Sequence, residues 1–303
     1  TGLLFYKMLV MLLMMCVGFA ARKTKVMTSE SNHSLTMLIN NVTMPCLVIY
    51  SAVSNEHALS NRQVLGLIGI AFAAFAVFIL TAKLITVLIR PEQGHRGIYE
   101  YFMIFPNSSF IGIPVISAIY GTSATFFLSL FNLPFYLILY SYGISLIQEI
   151  PMRKINARQL LSPLMFASLI SIVLYFCNVQ LPKLIAEPMQ TIAQISTPGA
   201  MLLVGSMLAG IPLKGMFQNK KLFMAAAGKL LAVPAITSLL FRLFVHDEMM
   251  LGIVTLVAAM PTASNTSLLA AQYGKDEDMA ATIVFLTTVC SVVTIPLMAI
   301  LLL

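Results

Sequence analysis

The chain has 303 residues, 59% of them hydrophobic and only 10% charged, with 18 Lys and Arg against 11 Asp and Glu. A water-soluble domain carries about a quarter charged residues, so this composition excludes a solvated globular surface and makes lipid the surrounding medium. The net charge of +7 does not indicate nucleic acid, because the basic residues flank apolar segments instead of clustering.

Taken in chain order, ten apolar stretches of about 20 residues are predicted to span a bilayer. They fall at 3–20, 35–53, 64–89, 98–120, 123–148, 159–178, 188–210, 222–245, 249–273 and 279–302. The first reads as a retained span rather than a cleavable leader. Little chain remains for a soluble catalytic head, and no catalytic pair is visible, so an enzyme is not expected. The loops after spans 1, 3, 5, 7 and 9 carry Arg22, Lys23, Lys25, Arg90, Arg96, Arg153, Lys154, Arg158, Lys214, Lys220, Lys221 and Lys275. The opposite side holds only Lys7, Arg62, Lys183 and Arg242. Basic residues accumulate on the cytoplasmic side, which predicts that both termini are extracytoplasmic.

An internal repeat runs through the spans. Asn41, Thr43 and Pro45 in span 2 have counterparts Gln194, Ser196 and Pro198 in span 7, each pair 153 positions apart. Tyr120-Gly121 and Tyr273-Gly274, closing spans 4 and 9, keep that offset, and Pro106 and Pro261 match with a slip of two. Five spans are an odd number of crossings, so residues 151–303 must enter the membrane upside down relative to 1–150. Such inverted repeats are the architecture of secondary transporters, whose sites lie at the repeat interface near the midplane.

Spans 4 and 9 are interrupted. Span 4 reads Phe105-Pro106-Asn107-Ser108-Ser109-Phe110-Ile111-Gly112-Ile113-Pro114, and span 9 reads Met260-Pro261-Thr262-Ala263-Ser264-Asn265-Thr266-Ser267. Proline removes a backbone donor and glycine permits non-helical torsions, so Pro106, Gly112, Pro114 and Pro261 are predicted helix breaks. Two broken helices would meet near the membrane centre, with half-helices starting near Pro114 and after Asn265. Helix N-termini attract anions, and Asn107, Ser108, Ser109, Ser264, Asn265 and Thr266 could add hydrogen bonds to a carboxylate.

Lys229, about 8 residues beyond Lys221 and so about 12 Å into span 8, is either a counter-ion for that anion or a side chain snorkelling to the interface. Lys83 reads as a snorkelling anchor. The spans show no buried carboxylate to act as a proton or sodium relay, which favours uniport or coupling through neutral ligands. Asn41, Thr43, Gln194 and Ser196 line a cavity or glue helices, the second being favoured. Cys16, Cys46, Cys177 and Cys290 lie far apart with no CxxC pair, and His33, His57, His95 and His246 are scattered in or near loops, so neither a metal nor a cofactor is implied.

At these residues the chain resembles the auxin efflux carrier family, which includes plant auxin exporters and bacterial malonate-type carriers. The similarity covers nearly the whole chain. It is most specific at Pro106-Asn107 through Gly112-Ile113-Pro114, and is supported by Met44-Pro45, Ser162-Pro163, Tyr273-Gly274 and Thr294-Ile295-Pro296. It implies an all-α polytopic membrane protein, ten helices in two inverted five-helix repeats, with crossed breaks in spans 4 and 9. Its fold would be like that of sodium/proton antiporters or bile-acid transporters. It further implies a scaffold of spans 1, 2, 6 and 7, a moving transport domain of spans 3–5 and 8–10, a homodimer and elevator motion. By the same resemblance the carboxylate-binding asparagine maps to Asn107, the span-9 crossover to Ser264 and Asn265, and the span-2 proline region to Met44. The plant branch has an asparagine after the span-6 proline, where this chain has Leu164, and an acidic residue in span 3, where it reads Leu67-Ile68-Gly69. A bacterial carrier of the inner membrane fits better. The expected function is transport of a small carboxylate by alternating access. The competing readings are a sodium-coupled organic anion symporter and a non-transporting ligand sensor.

Overall fold

A computed structural model of the chain describes residues 2–54, 61–92, 94–150, 162–211 and 220–302. Arg153, Lys154, Arg158, Lys214 and His57, named above, lie outside the described residues. Twelve helical segments follow in order: α1 (Gly2–Lys23), α2 (Ser29–Val53), α3 (Asn61–Ile89), α4 (Arg96–Ile104), α5 (Ser108–Tyr120) and α6 (Ala124–Gln148). After these come α7 (Pro163–Phe176), α8 (Lys183–Gly210), α9 (Lys220–Phe241), α10 (Glu248–Ala259), α11 (Thr266–Gln272) and α12 (Glu277–Leu302). Seven of them, α1, α2, α3, α6, α8, α9 and α12, are long and apolar enough to cross a membrane. Span 6 is represented by the 14 residues of α7, while spans 4 and 9 each divide into two short helices. The protein is an all-α polytopic membrane protein.

Local chemistry sets the helix ends. Thr28 and Ser31 form a reciprocal capping box ahead of α2, Ser162 accepts from the Met165 amide before α7, and Asp247 does the same for Met250 before α10. Each satisfies a donor that the first helical turn leaves orphaned. At the other end, Gly121 (φ +87°) and Gly274 (φ +64°) follow α5 and α11, torsions that glycine adopts without a Cβ penalty. The two glycines matched in the sequence thus share a positive φ after corresponding helices.

Prolines inside spans are accommodated by widened turns. Among the described residues four segments have π geometry, and three stand just ahead of a proline: Ile39–Thr43 before Pro45, Ser108–Gly112 before Pro114, and Gly228–Ala232 before Pro234. Proline clashes with the carbonyl four residues back and cannot donate to it. Here Met44 donates to the Ile39 carbonyl and Val233 to the Gly228 carbonyl, both five residues back, which keeps the helix continuous around the ring.

The chain divides into two compact units, with boundaries inside α3, α5 and α6. The first comprises Thr1–Gly69, Ser109–Leu133 and Ala157–Gly210. Within it α1 packs along the Ser196–Gly210 part of α8, and α7 packs along the Met44–Val53 part of α2. These are counterpart pairings, since spans 1 and 2 of one repeat correspond to spans 6 and 7 of the other. The α1–α8 seam is close enough that a Cβ on Gly205 would lie 1.9 Å from the Met15 carbonyl oxygen, and one on Gly18 2.1 Å from that of Leu202. Small residues let membrane helices approach this closely.

In the same unit the Ser196 hydroxyl donates to Thr43 Oγ1 at 3.0 Å, with both residues buried. These two are repeat counterparts. Asn41 and Gln194, named with them, are exposed, so the pair Thr43–Ser196 is the glue between helices. Combining Thr43→Val with Ser196→Ala is expected to show a coupling of about 0.6 kcal/mol, the usual worth of an interhelical hydrogen bond in a membrane protein. Thermal unfolding of the two single variants and the double variant measures it, and strictly additive losses would deny the bond any weight.

The second unit comprises Ile70–Ser108, Pro134–Asn156 and Ile211–Leu303. Its core is aromatic around α3, α4 and α6: Phe75 packs on Phe78 and Phe135, and Phe105 packs on Tyr101 and Phe135. Helix α9 lies along α10 and α12. Ionic contacts fasten the polar ends, with Arg96 bonded to Glu100 at 2.9 Å and Lys275 to Glu149 at 3.2 Å. Lys83 is exposed, its ammonium 5.7 Å from the Tyr142 ring.

Candidate functional site

The two helix interruptions meet inside the second unit. Helix α4 stops at Ile104 because Phe105 turns extended (φ −98°, ψ 102°) and Pro106 has no N–H for the Phe102 carbonyl. Helix α10 stops at Ala259, where Met260 turns extended (φ −64°, ψ 146°) ahead of Pro261. The freed segments run antiparallel past one another, with Pro106 and Thr262 forming a single bridge. Asn107 donates its backbone N–H to the Pro261 carbonyl at 2.7 Å, and Ala263 donates to the Phe105 carbonyl at 3.0 Å.

In this geometry Pro106 and Thr262 are a non-hydrogen-bonded pair, joined through their neighbours. A proline therefore costs the ladder nothing at that position. Thr262 makes up for the donor that Pro106 lacks: its hydroxyl bonds the Phe102 carbonyl at 3.1 Å. The Thr262 N–H points away from the bridge and donates to Thr287 Oγ1 of α12 at 3.3 Å. Phe105 is seated against Gly143, where a Cβ would lie 2.8 Å from its ring. Buried polar backbone is viable in a bilayer only when satisfied by protein or by a wet cavity, and here two of its bonds are made to the opposing break.

The predicted site residues divide as follows. Pro106, Asn107, Ser108, Pro261, Ser264, Asn265 and Thr266 belong to the second unit. Asn107 and Ser108 are buried at 4% and 1% exposure, and the Ser108 hydroxyl has no hydrogen-bond partner among the described residues. Ser264 is half-buried and Asn265 exposed; the Asn265 side chain does not cap α11. The Thr266 hydroxyl is already committed to the Ala263 carbonyl at 2.6 Å. Met44, Ser109, Gly112 and Pro114 belong to the first unit, with Met44 fully buried.

One expectation is corrected in detail. Helix resumes at Ser108 rather than near Pro114, so the first break covers Phe105 to Asn107 alone. Gly112 has helical torsions (φ −63°, ψ −47°) and Pro114 lies inside the resumed helix, because the π turn Ser108–Gly112 absorbs that proline. Pro106 and Pro261 are the true break points.

Two residues that the sequence did not single out, Thr262 and Thr287, brace the crossing with side-chain hydrogen bonds. Their signal was a hydroxyl beside a proline and another on a facing span, which is common in any membrane helix. Lys229 is fully buried within the π turn of α9. Its Nζ donates to the Ala258 carbonyl at 3.4 Å and lies 5.7 Å from the centroid of the Phe78 ring.

Paired helix interruptions inside an apolar helical bundle are a feature of many secondary transporters. The chain matches the family described as membrane transport protein over residues 3–155 and 149–299. It belongs to that family, the auxin efflux carrier family, whose members are membrane transporters. No curated protein matches the chain.

Proposed function

We propose that this transporter carries a small organic anion bearing a carboxylate, recognised at the crossing of the two breaks. The observation that carries the proposal is the antiparallel pairing of Phe105–Asn107 with Pro261–Ala263, beside which unengaged donors collect. These are the buried Ser108 hydroxyl and the exposed Asn265. The start of α11 adds the positive end of a helix dipole. Lys229, against Ala258 just before the break, adds positive charge to the same region and acts as the counter-ion of the bound state.

On this reading spans 1, 2, 6 and 7 are the scaffold and spans 3–5 and 8–10 the moving part of an elevator-type cycle. The protein works as a homodimer through the scaffold, in a bacterial inner membrane with both termini extracytoplasmic. Small dicarboxylates of the malonate type are the first solutes to try. Counterflow in liposomes tests this: proteoliposomes loaded with unlabelled malonate should accumulate labelled malonate, and a panel of monocarboxylates and dicarboxylates should rank by competition. Specific binding of a carboxylate with no flux in sealed vesicles would replace the carrier with a ligand sensor. Absence of both would remove the carboxylate from the site.

A further inference from the structure

The interruption in span 9 leaves a particular main-chain carbonyl exposed to a charge. In a continuous helix the Ala258 carbonyl would accept from the N–H of residue 262, and Ala259 from that of residue 263. The Thr262 N–H instead goes to Thr287, and the Ala263 N–H to Phe105. The Ala258 carbonyl, at the negative end of the α10 dipole, therefore loses its helical donor. Lys229 fills the vacancy with an ammonium group that is fully buried and lies near the Phe78 ring. Among the described residues no carboxylate pairs with it.

A buried, unpaired lysine in a membrane span is costly and demands a function. The carbonyl end of a half-helix is also the kind of place where carriers coordinate a sodium ion. We infer that Lys229 is a tethered cation, occupying the carbonyl end of α10 in the role that a free monovalent ion would otherwise fill. Its position depends on the local backbone: the π turn Gly228–Ala232 turns it inward, and Gly228 lets α9 approach Ile85, whose side chain would lie 3.1 Å from an added Cβ. The charge is confined to one repeat. At offsets of 153 and 155 its counterparts are Ala76 and Ala74, so only the second break carries a built-in ion.

For the transport cycle, the inference rests on the carrier reading above and predicts that flux needs no sodium. For the crossing itself it stands alone, and is tested first without substrate. Purified wild type and Lys229→Ala are unfolded thermally in sodium, methylammonium and choline chloride at equal ionic strength. The wild type should have one midpoint in all three salts. Lys229→Ala should unfold earlier in choline and regain about 3 °C or more in sodium or methylammonium, which fit the vacated space as choline does not. A variant indifferent to the cation, or a wild type that responds as strongly, overturns the inference. Should Lys229→Ala not fold, wild-type flux with sodium, potassium or choline outside decides: equal rates support the tethered ion, and sodium stimulation refutes it. A wild type without flux in any salt would strike the carrier reading and leave the unfolding result standing.

Discussion

Replacing Asn107 by alanine is expected to lower carboxylate flux by about tenfold to a hundredfold while the protein stays folded. The crossing itself is held by main-chain bonds, from Asn107 N–H to Pro261 and from Ala263 N–H to Phe105. Alanine retains both, so the crossing should still form and the protein should fold. What disappears is the amide of a residue that is itself 4% exposed. Leaving a buried carboxylate oxygen without its donor costs about 1–3 kcal/mol, and 1.4 kcal/mol corresponds to about a factor of ten. Asn107→Asp should lower flux further still, since it sets a like charge against the anion. Asn265→Ala should do less, because Asn265 is exposed and can be replaced by water. Counterflow in liposomes, paired with thermal unfolding, separates these effects. Undiminished flux in Asn107→Ala and Asn265→Ala alike would move the binding site away from the crossing.

The largest effect on stability is expected at Gly205. A methyl group there would overlap the Met15 carbonyl oxygen at 1.9 Å, and one at Gly18 would overlap that of Leu202 at 2.1 Å. The obstruction in both cases is backbone, which cannot swing aside as a flexible side chain would. Helices α1 and α8 must separate, and all their shared packing loosens together. Gly205→Ala should therefore cost about 1–3 kcal/mol, read as a midpoint lowered by about 2–12 °C, and Gly205→Leu should not yield folded protein. Gly18→Ala acts on the same seam, so the double variant should lose less than the sum of the two single losses. A Gly205→Ala midpoint equal to wild type would mean that the two helices are not packed this tightly.

The parts of this molecule that were legible in the sequence are those governed by local chemistry or by repetition. Pro106 and Pro261 each remove a donor in an otherwise apolar span beside polar residues, and both stand at the two breaks. The constant offset of 153 located the repeat, and Thr43 with Ser196 proved to be in direct contact. Pro114 misled because a proline two residues beyond a π turn leaves the helix unbroken, and π geometry has no strong sequence signature. Thr262, Thr287 and the Ala258 carbonyl were invisible for another reason. Their roles follow from which main-chain groups the crossing leaves unsatisfied, and that is settled only when two distant segments are paired. The same holds for Gly18 and Gly205: a glycine in a membrane helix is ordinary until the opposing carbonyl is known.

The hydrogen bond between Thr43 and Ser196 carries a constraint of its own. Where corresponding positions of two copies face each other across a dyad, a group meets its own duplicate and must be able to bond with itself. Carboxylates or ammonium groups would repel there, whereas a hydroxyl can both donate and accept a hydrogen bond. Two identical five-helix chains assembled about such a dyad could have kept one threonine or one serine at this point and closed the contact without any second residue type.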